Sequence, residues 1–287
     1  MQTAQYARLM DAARDDDGRG QAFGWDSARF DRGWTAFEAV GGDYVGALIE
    51  RIDRFCPAMA KLLIETAYAD IISRPELSLE YRELATVAVL AAQGNSKMAL
   101  RFHCRGMLNT GWAPRDLVEA VLTGVYAGLP RSIDLSVDTV CELLKERYAA
   151  TGRTGNDDPA LTESDIPCVG DLANPSLAHA RQRFARRLAA FPLVLFGDGS
   201  LGTKDRRLAN LAVAIARDCD EATLRKRLWR ALTAGWTPAE LAELIMQLTA
   251  YCGWPLLLRL VVPATEIFDA FANGWQVRCQ SPTAEAA

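Results

Sequence analysis

The sequence predicts an all-α protein of two tandem helical repeats with an N-terminal extension, and three observations support this. From residue 43 onward, apolar residues recur at steps of three and four, the period of a helix packed on a core. Alternating β-branched runs, typical of strands, are absent from the sequence. The stretch RELATVAVLAAQG at 82–94 returns in altered form as RRLANLAVAIARD at 206–218, which indicates a duplicated unit.

Length and charge narrow the class of protein. The chain has 287 residues, half of them hydrophobic, and a formal net charge of −4. This length favours about two domains, and the mild acidity gives no reason to expect a nucleic acid or a membrane surface as partner. The start lacks the apolar core of a signal peptide, and no apolar stretch approaches the length of a membrane span. We therefore expect a cytoplasmic protein whose partner is a small molecule.

Cysteine and histidine usage argues against disulfides and metals. The cysteine count is odd and no two cysteines lie close enough for a CxxC motif, so reduced thiols are expected. The two histidines, His103 and His179, fall in different repeats, and no HExxH or paired-cysteine spacing is present. The sequence therefore predicts no metal site.

Capping residues delimit the helices of the first repeat. Ser78 is a good N-cap and Gly94 ends the helix that follows it. The next helix runs to Gly111, and a third has Pro114 in its first turn and ends at Gly128. A fourth helix, beginning near 131, closes the unit.

The second copy follows the same order at an offset of 124 residues (82 to 206, 111 to 235). Thr237 and Glu240 form a capping box there, where the first copy has Ala113. The offset becomes 125 at Tyr126 and Tyr251, so the first copy is one residue shorter at that point. Because the tyrosine recurs in both copies, we expect it to serve packing, as we do for the repeated Trp112 and Trp236.

These patterns divide the chain into five parts. They are an N-terminal extension at 1–42, repeat one at 43–150, a linker at 151–175, repeat two at 176–275 and a tail at 276–287. The extension holds Trp25 and Trp34 among charges and glycines, so part of it is expected to pack on the body. The linker is rich in Gly, Asp, Thr and Pro.

Repeat one resembles the carboxymuconolactone decarboxylase family, which includes the alkylhydroperoxidase (AhpD-like) proteins. The matching pieces, in order, are SRPELS at 73–78, REL at 82–84, RFH at 101–103, Gly111 and YAGLP at 126–130. Together they cover roughly 55 to 149, and a weaker match covers roughly 176 to 275. The resemblance implies an all-helical, cofactor-independent protein that forms homo-oligomers.

The chain departs from the thiol branch of that family. Proteins of that branch carry a CxxC motif four residues before the histidine that corresponds to His103, and this chain has Ser96 and Ala99 at those positions. Cys104 adjoins His103, but neighbours on a helix point about 100° apart, so adjacency does not make a thiolate pair. Redox chemistry through this motif is not expected.

What the resemblance implies instead is acid/base catalysis by Glu83 and His103. Loss of CO2 is easiest when the remaining electrons delocalise into a conjugated carbonyl, and a general acid must then protonate the carbon. An imidazole supplies such a proton near neutral pH, while a glutamate orients the ring or carries the proton itself. A guanidinium can hold the substrate carboxylate through a fork of hydrogen bonds. The candidates for that role are Arg74, Arg82, Arg101 and Arg105.

The second copy has lost this pair. Arg207 stands where repeat one has Glu83, and Arg227 stands in place of His103. Guanidinium groups cannot exchange protons near neutral pH, so repeat two cannot perform the same step. We expect it to be retained for packing, with binding of an anionic substrate group by Arg227 as the sharper alternative.

The sequence therefore predicts a cofactor-independent lyase of the carboxymuconolactone decarboxylase type, acting on a small unsaturated lactone or carboxylated ring. One alternative is a biosynthetic tailoring enzyme on the same scaffold that hydrolyses, isomerises or cyclises a larger intermediate. The extra residues 1–42 and the altered second repeat favour it. A second alternative is a non-catalytic binding or structural protein, because a scaffold is shared more reliably than a reaction.

Overall fold

A computed structural model describes residues 27–128, 131–150, 161–170, 173–189 and 200–273, and within these ranges every regular element is a helix. The expected all-α fold is confirmed. The helices are α1 Ser27–Gly41, α2 Val45–Phe55, α3 Pro57–Leu62, α4 Leu79–Gln93, α5 Lys97–Asn109, α6 Pro114–Ala127, α7 Arg131–Ala149, α8 Pro175–Leu188, α9 Thr203–Ala216, α10 Glu221–Thr233, α11 Pro238–Gln247, α12 Thr249–Cys252, α13 Trp254–Leu258 and α14 Val261–Ala272. A π-helical segment, Leu63–Ile72, follows α3.

The two repeats agree in backbone detail at the ends of equivalent helices. Gly94 caps α4 with φ 58°, and Asp218, 124 residues later, has φ 55° after α9. Gly111 and Gly235, which follow α5 and α10, have φ 107° and 97°. Left-handed backbone at these positions favours glycine, so only Asp218 departs from the preferred residue type. The predicted helix ends of repeat one are thereby confirmed.

Helix α4 lies at the centre of the molecule and is buried along almost its whole length. Leu84 and Val87 belong to the core of repeat one. Ala85 and Val89 belong to a second core formed mainly by repeat two. A helix that is apolar all round must be covered on every side, and here α5, α6 and α9 cover it.

Equivalent residues of the two repeats exchange contacts reciprocally. Arg82 bonds to Glu243 at 2.8 Å, and Arg206 of repeat two bonds to Glu119 of repeat one. Each of these residues lies 124 positions from its counterpart in the other pair. Repeat two therefore packs on repeat one through an approximate two-fold relation, as a second subunit would in a dimer.

Trp112 and Trp236 also occupy equivalent places. The indole of Trp112 donates to the carbonyl of Glu80 at 2.9 Å, and that of Trp236 donates to the carbonyl of Lys204 at 2.8 Å. Tyr81 packs edge-to-face against both rings. The expected packing role of the two tryptophans is confirmed.

The N-terminal extension adds a helix to the body. Helix α1 begins at Ser27, inside the segment that the sequence assigned to the extension. Phe30, Trp34, Phe37 and Val40 are buried in a third core, which confirms that part of this segment packs on the repeats. Trp25 lies outside the described residues.

The linker is ordered in part. Within 161–170, Leu161 and Ile166 are buried in the core of repeat one, on either side of a 3-10 turn at Glu163–Asp165. The tail at 276–287 lies outside the described residues, and the domain boundaries stay predictions. Among the described helices, none is long and apolar enough to cross a membrane.

Candidate active site

Glu83 and His103 meet between the two central helices of repeat one. Glu83 lies on α4 and His103 on α5, and Glu83 Oε2 is 2.9 Å from His103 Nδ1. Glu83 is fully buried, and His103 is 7% exposed. The two residues that the resemblance singled out are therefore in direct contact, although their roles stay a proposal.

A glycine on α5 makes this approach possible. A Cβ atom at Gly106 would lie 2.3 Å from Glu83 Oε2 and 2.5 Å from Val40 Cγ1 of α1. Any side chain at this position would displace the carboxylate, the helix α1 or both. Repeat two has Arg230 at the equivalent position and no carboxylate to accommodate.

The hydrogen bond fixes the chemistry of the imidazole. A carboxylate only accepts, so Nδ1 carries the hydrogen of this bond and Nε2 is the atom that can exchange a proton with a substrate. The other carboxylate oxygen, Glu83 Oε1, is buried and has no hydrogen-bond partner among the described residues. A buried acceptor of this kind is suited to a polar group of a ligand.

Two tyrosines complete the polar surroundings of His103. The hydroxyl of Tyr251, from repeat two, lies 3.3 Å from His103 Nε2. Burial raises the pKa of the Tyr251 phenol, and the negative charge of Glu83 adds to the shift. Burial also raises the pKa of Tyr68, which lies on the π-helical segment. Tyr251 and the charge of Glu83 add to that increase. Both phenols are therefore neutral near pH 7.

Aromatic side chains from the extension pack beside the pair. Phe102 stands edge-to-face to His103 at 5.3 Å between ring centroids. Phe37 of α1 stacks on Phe102 at 5.4 Å and contacts Tyr68 at 4.8 Å. Helix α1 thus contributes to the apolar side of this site.

Arg82 and Arg74 form hydrogen bonds with other groups of the protein. Arg82 is fully buried, and its guanidinium donates to Glu243, Gln247 and the carbonyls of Leu77 and Arg74. The Nε of Arg74 donates to Glu243 at 2.8 Å. The carboxylate of Glu243 occupies the guanidinium of Arg82 and engages Arg74 as well, and the substrate-binding roles of both arginines stay predictions.

The other predicted arginines, Arg101 and Arg105, share one face of α5, and both approach Glu146. Arg101 pairs with Glu146 at the surface. Arg105 sits over the Tyr44 ring, 5.3 Å from its centroid, and its Nε is buried without a hydrogen-bond partner. Residues two apart on a helix do not face the same way, so Arg105 and His103 diverge. A substrate-binding role for Arg105 stays a prediction.

In repeat two, the positions equivalent to the pair are half-buried arginines. Arg227 donates to Asn210 at 3.4 Å, a weak bond, and Arg207 follows Arg206 on α9. A role for Arg227 in binding an anionic group stays a prediction.

Cys104 takes no part in the site. Burial raises the pKa of its thiol well above the ordinary value, and Glu83 adds to that shift. A protonated, buried thiol is a poor nucleophile, in agreement with the sequence-based expectation.

The position of Tyr251 beside His103 was not predicted, because the repeated tyrosine indicates packing, and its ring does pack against the cores of both repeats. The only sequence signal for this position is the one-residue change of offset between Gln247 and Tyr251. How that change turns the tyrosine side chain cannot be read without the structure. No cluster of His, Cys, Asp or Glu within the described ranges has the geometry of a metal site.

Comparison with known proteins places the chain among decarboxylases. It is 33% identical over 121 residues to 4-carboxymuconolactone decarboxylase of Acinetobacter baylyi, covering 42% of this chain and 89% of the relative. It is 29% identical over 103 residues to nitrosuccinic acid decarboxylase of Metarhizium robertsii, covering 36% of this chain and 71% of the relative. These relatives confirm the expectation of an enzyme of the carboxy-lyase type.

The family match repeats along the chain as the helices do. Residues 57–135 and 182–266 each match the carboxymuconolactone decarboxylase family, and the two ranges fall within repeat one and repeat two. The chain belongs to the carboxymuconolactone decarboxylase family.

Proposed function

We propose that the protein is a carboxy-lyase that needs no organic cofactor and in which the His103–Glu83 pair of repeat one protonates the carbon that loses CO2. The observation that carries the proposal is the buried contact of 2.9 Å between Glu83 Oε2 and His103 Nδ1. It leaves Nε2 to face the reacting group in an environment largely closed to water.

The reaction balances with one proton. The bond between the substrate carbon and its carboxylate breaks, CO2 leaves, and the electron pair delocalises into an electron-accepting group. The imidazolium then transfers the Nε2 proton to carbon and becomes neutral, and a proton from solvent restores it. Glu83 stabilises the imidazolium and fixes the ring, as an orienting carboxylate does in other proton-transfer sites.

The names of the two relatives indicate the substrate class. An unsaturated lactone and a nitro group both accept electrons from a departing carboxylate. We therefore propose a small carboxylic acid with such a group close to the carboxylate, and the chain's own substrate need not be either of the two named compounds.

A second candidate, a tailoring enzyme for a larger biosynthetic intermediate, is favoured by helix α1. This helix precedes the family match at 57–135, yet its Phe37 and Val40 lie beside Phe102 and Gly106 at the site. A wall added outside the matched region is a route to a different substrate. Both candidates use the same acid/base pair.

The test is the release of CO2 by the purified protein from 4-carboxymuconolactone and from nitrosuccinate, with His103→Ala beside it. General acid catalysis contributes about 10²- to 10⁴-fold, so we expect kcat of His103→Ala to fall by at least about 10². The matched control is Arg227→Ala, the equivalent position of repeat two, which should keep kcat. A rise in KM of Arg227→Ala would support anion binding by that residue.

Well-folded protein that releases CO2 from neither acid would contradict the decarboxylase proposal for this substrate class and favour the tailoring candidate. Turnover that survives in His103→Ala would contradict the assignment of the pair.

A further inference from the structure

The active site of repeat one receives a residue from repeat two. Tyr251 belongs to the copy that lost its own acid/base pair, yet its hydroxyl lies 3.3 Å from His103 Nε2 and its ring stands edge-to-face to the imidazole at 5.8 Å. On the basis of the proposed function, we propose that Tyr251 is a positioning residue for His103, so that repeat two completes the site of repeat one.

A run of polar groups from Gln247 through Thr86 and Tyr251 to His103 supports this inference. The amide nitrogen of Gln247 donates to the carbonyl of Arg82 at 2.9 Å and to Thr86 Oγ1 at 2.7 Å. Thr86 is fully buried, and its hydroxyl acts as a donor on the phenol of Tyr251, which lowers the pKa of the phenol against the larger effect of burial. The hydrogen of Tyr251 is thereby left for His103.

The two ends of the imidazole are held by different repeats. Glu83 accepts from Nδ1, so in the neutral ring Nε2 is bare and accepts from Tyr251. This is the state that follows proton transfer to the substrate. The single in-plane position at Nε2 serves the substrate carbon during the transfer and the phenol after it, so Tyr251 stabilises the bare nitrogen and holds the ring plane.

A one-residue insertion brings Tyr251 to this place. In repeat one, α6 runs without interruption through Tyr126, whose ring lies against Gly170 of the linker. In repeat two, α11 ends at Gln247, and the N–H of Tyr251 bonds to Leu248, three residues back rather than four. The extra residue changes the direction of the tyrosine side chain. Tyr251 therefore contacts His103, whereas Tyr126 contacts the linker.

The experiment combines kinetics with ¹⁵N NMR of histidine-labelled protein. The chain has only two histidines, so His179, near Asp134, is an internal reference. For Tyr251→Phe we expect the His103 Nε2 resonance to move downfield, as for a nitrogen that loses its hydrogen bond, while the His179 resonances stay in place. We expect kcat on the acid that the enzyme decarboxylates to fall about tenfold, with KM within about twofold, the effect of one lost hydrogen bond.

Tyr126→Phe, the equivalent change in repeat one, is the matched control and should alter neither readout. Thr86→Val removes the donor to Tyr251 without removing the phenol, and should give a smaller change in the same direction. It also tests the proposal if Tyr251→Phe does not fold.

An unchanged His103 resonance in Tyr251→Phe would overturn the proposal, as would a shifted resonance with unchanged kcat. If wild-type protein decarboxylates no acid tested, the proposed function fails, and the resonance alone decides whether Tyr251 holds Nε2.

Discussion

Burial decides which ionisable side chains around His103 can take part in proton transfer. The pKa of Tyr68, of Tyr251 and of Cys104 is raised, so all three keep their protons near pH 7. An imidazole ordinarily titrates near neutral pH and is the group suited to a proton cycle there. In the proposed mechanism the Glu83–His103 pair is therefore the reactive element, with the phenols as neutral neighbours.

Cys104 offers a direct check, because it adjoins His103 in sequence. We expect Cys104→Ala to retain kcat within about threefold, since a hydrogen bond or nucleophile would contribute more than that. Steady-state kinetics on the decarboxylated acid measures this. A loss as large as that of His103→Ala would contradict the assignment and point to a thiol in the mechanism.

The Cys104 thiol should lower the free energy of unfolding as the pH becomes alkaline. Its folded pKa is raised, so the unfolded chain ionises first as pH rises, and the folded state then holds more protons. Its stability contribution is present below about pH 8.5 and is lost progressively above it. Urea unfolding at pH 7 and pH 10 should show a smaller alkaline loss for Cys104→Ala than for wild type. An equal loss in both proteins would contradict this.

The contact between Glu83 and His103 was predictable from the sequence, whereas the partners of the nearby arginines were not. Glu83 and His103 follow from the family pattern and the helix order. Arg82 has the same local setting as a substrate-binding arginine, but Glu243, 161 positions away, holds its guanidinium. A long-range ion pair leaves no local signal, so the partner of Arg82 could not be read from the sequence.

Caps and glycines set the helices that carry the site. Ser78 occupies the N-cap position of α4 without a side-chain capping bond, the left-handed Gly94 ends the helix, and both positions could be read from the sequence. The site needs one more glycine, Gly106, for close packing, and the side chains closest to it come from two other helices, α4 and α1. The re-aimed Tyr251 needed the structure, because an extra residue changes a side chain's direction only once the helix break is known.

Gly106→Ala tests the packing of these helices. The added methyl meets Glu83 Oε2 and Val40, so we expect a loss of about 1–3 kcal/mol in the free energy of unfolding and a fall in kcat through displacement of Glu83. Denaturant unfolding and kinetics measure both. Arg230→Ala, at the equivalent position of repeat two, is exposed and should change neither. A fully active, fully stable Gly106→Ala would refute the close approach.

Reciprocal ion pairs link the two repeats. One joins α4 to α11, and the other joins α9 to α6. The pairing of Arg82 with Glu243, and of Arg206 with Glu119, joins each repeat to the other. Duplication and the all-α class were predictable, because the sequence repeats at a constant offset. How the copies face each other was not, since no single position records it. Self-association, a cytoplasmic location and a biosynthetic role stay predictions.

The two ion pairs should contribute differently to the free energy of unfolding because their burial differs. Arg82 is fully buried, whereas the side chain of Arg206 is 42% exposed, so water can replace the second guanidinium more easily. We expect Arg82→Met to cost about 3–5 kcal/mol in unfolding free energy, because it removes four buried hydrogen bonds and leaves Glu243 with only Arg74, and Arg206→Met to cost less. Urea denaturation compares them. The double variant Arg82→Met/Glu243→Leu should recover part of the loss, and equal costs for the two single variants would contradict this ranking.

The most direct test of the central claim compares Glu83→Gln with Arg207→Gln, equivalent positions in the two repeats, in the CO2-release assay. Glutamine keeps the shape of Glu83 and removes its charge, so we expect a kcat at least about 10² below wild type for Glu83→Gln. We expect wild-type kcat for Arg207→Gln. Near-wild-type turnover by a folded Glu83→Gln, or an equal loss in Arg207→Gln, would contradict a single acid/base site in repeat one.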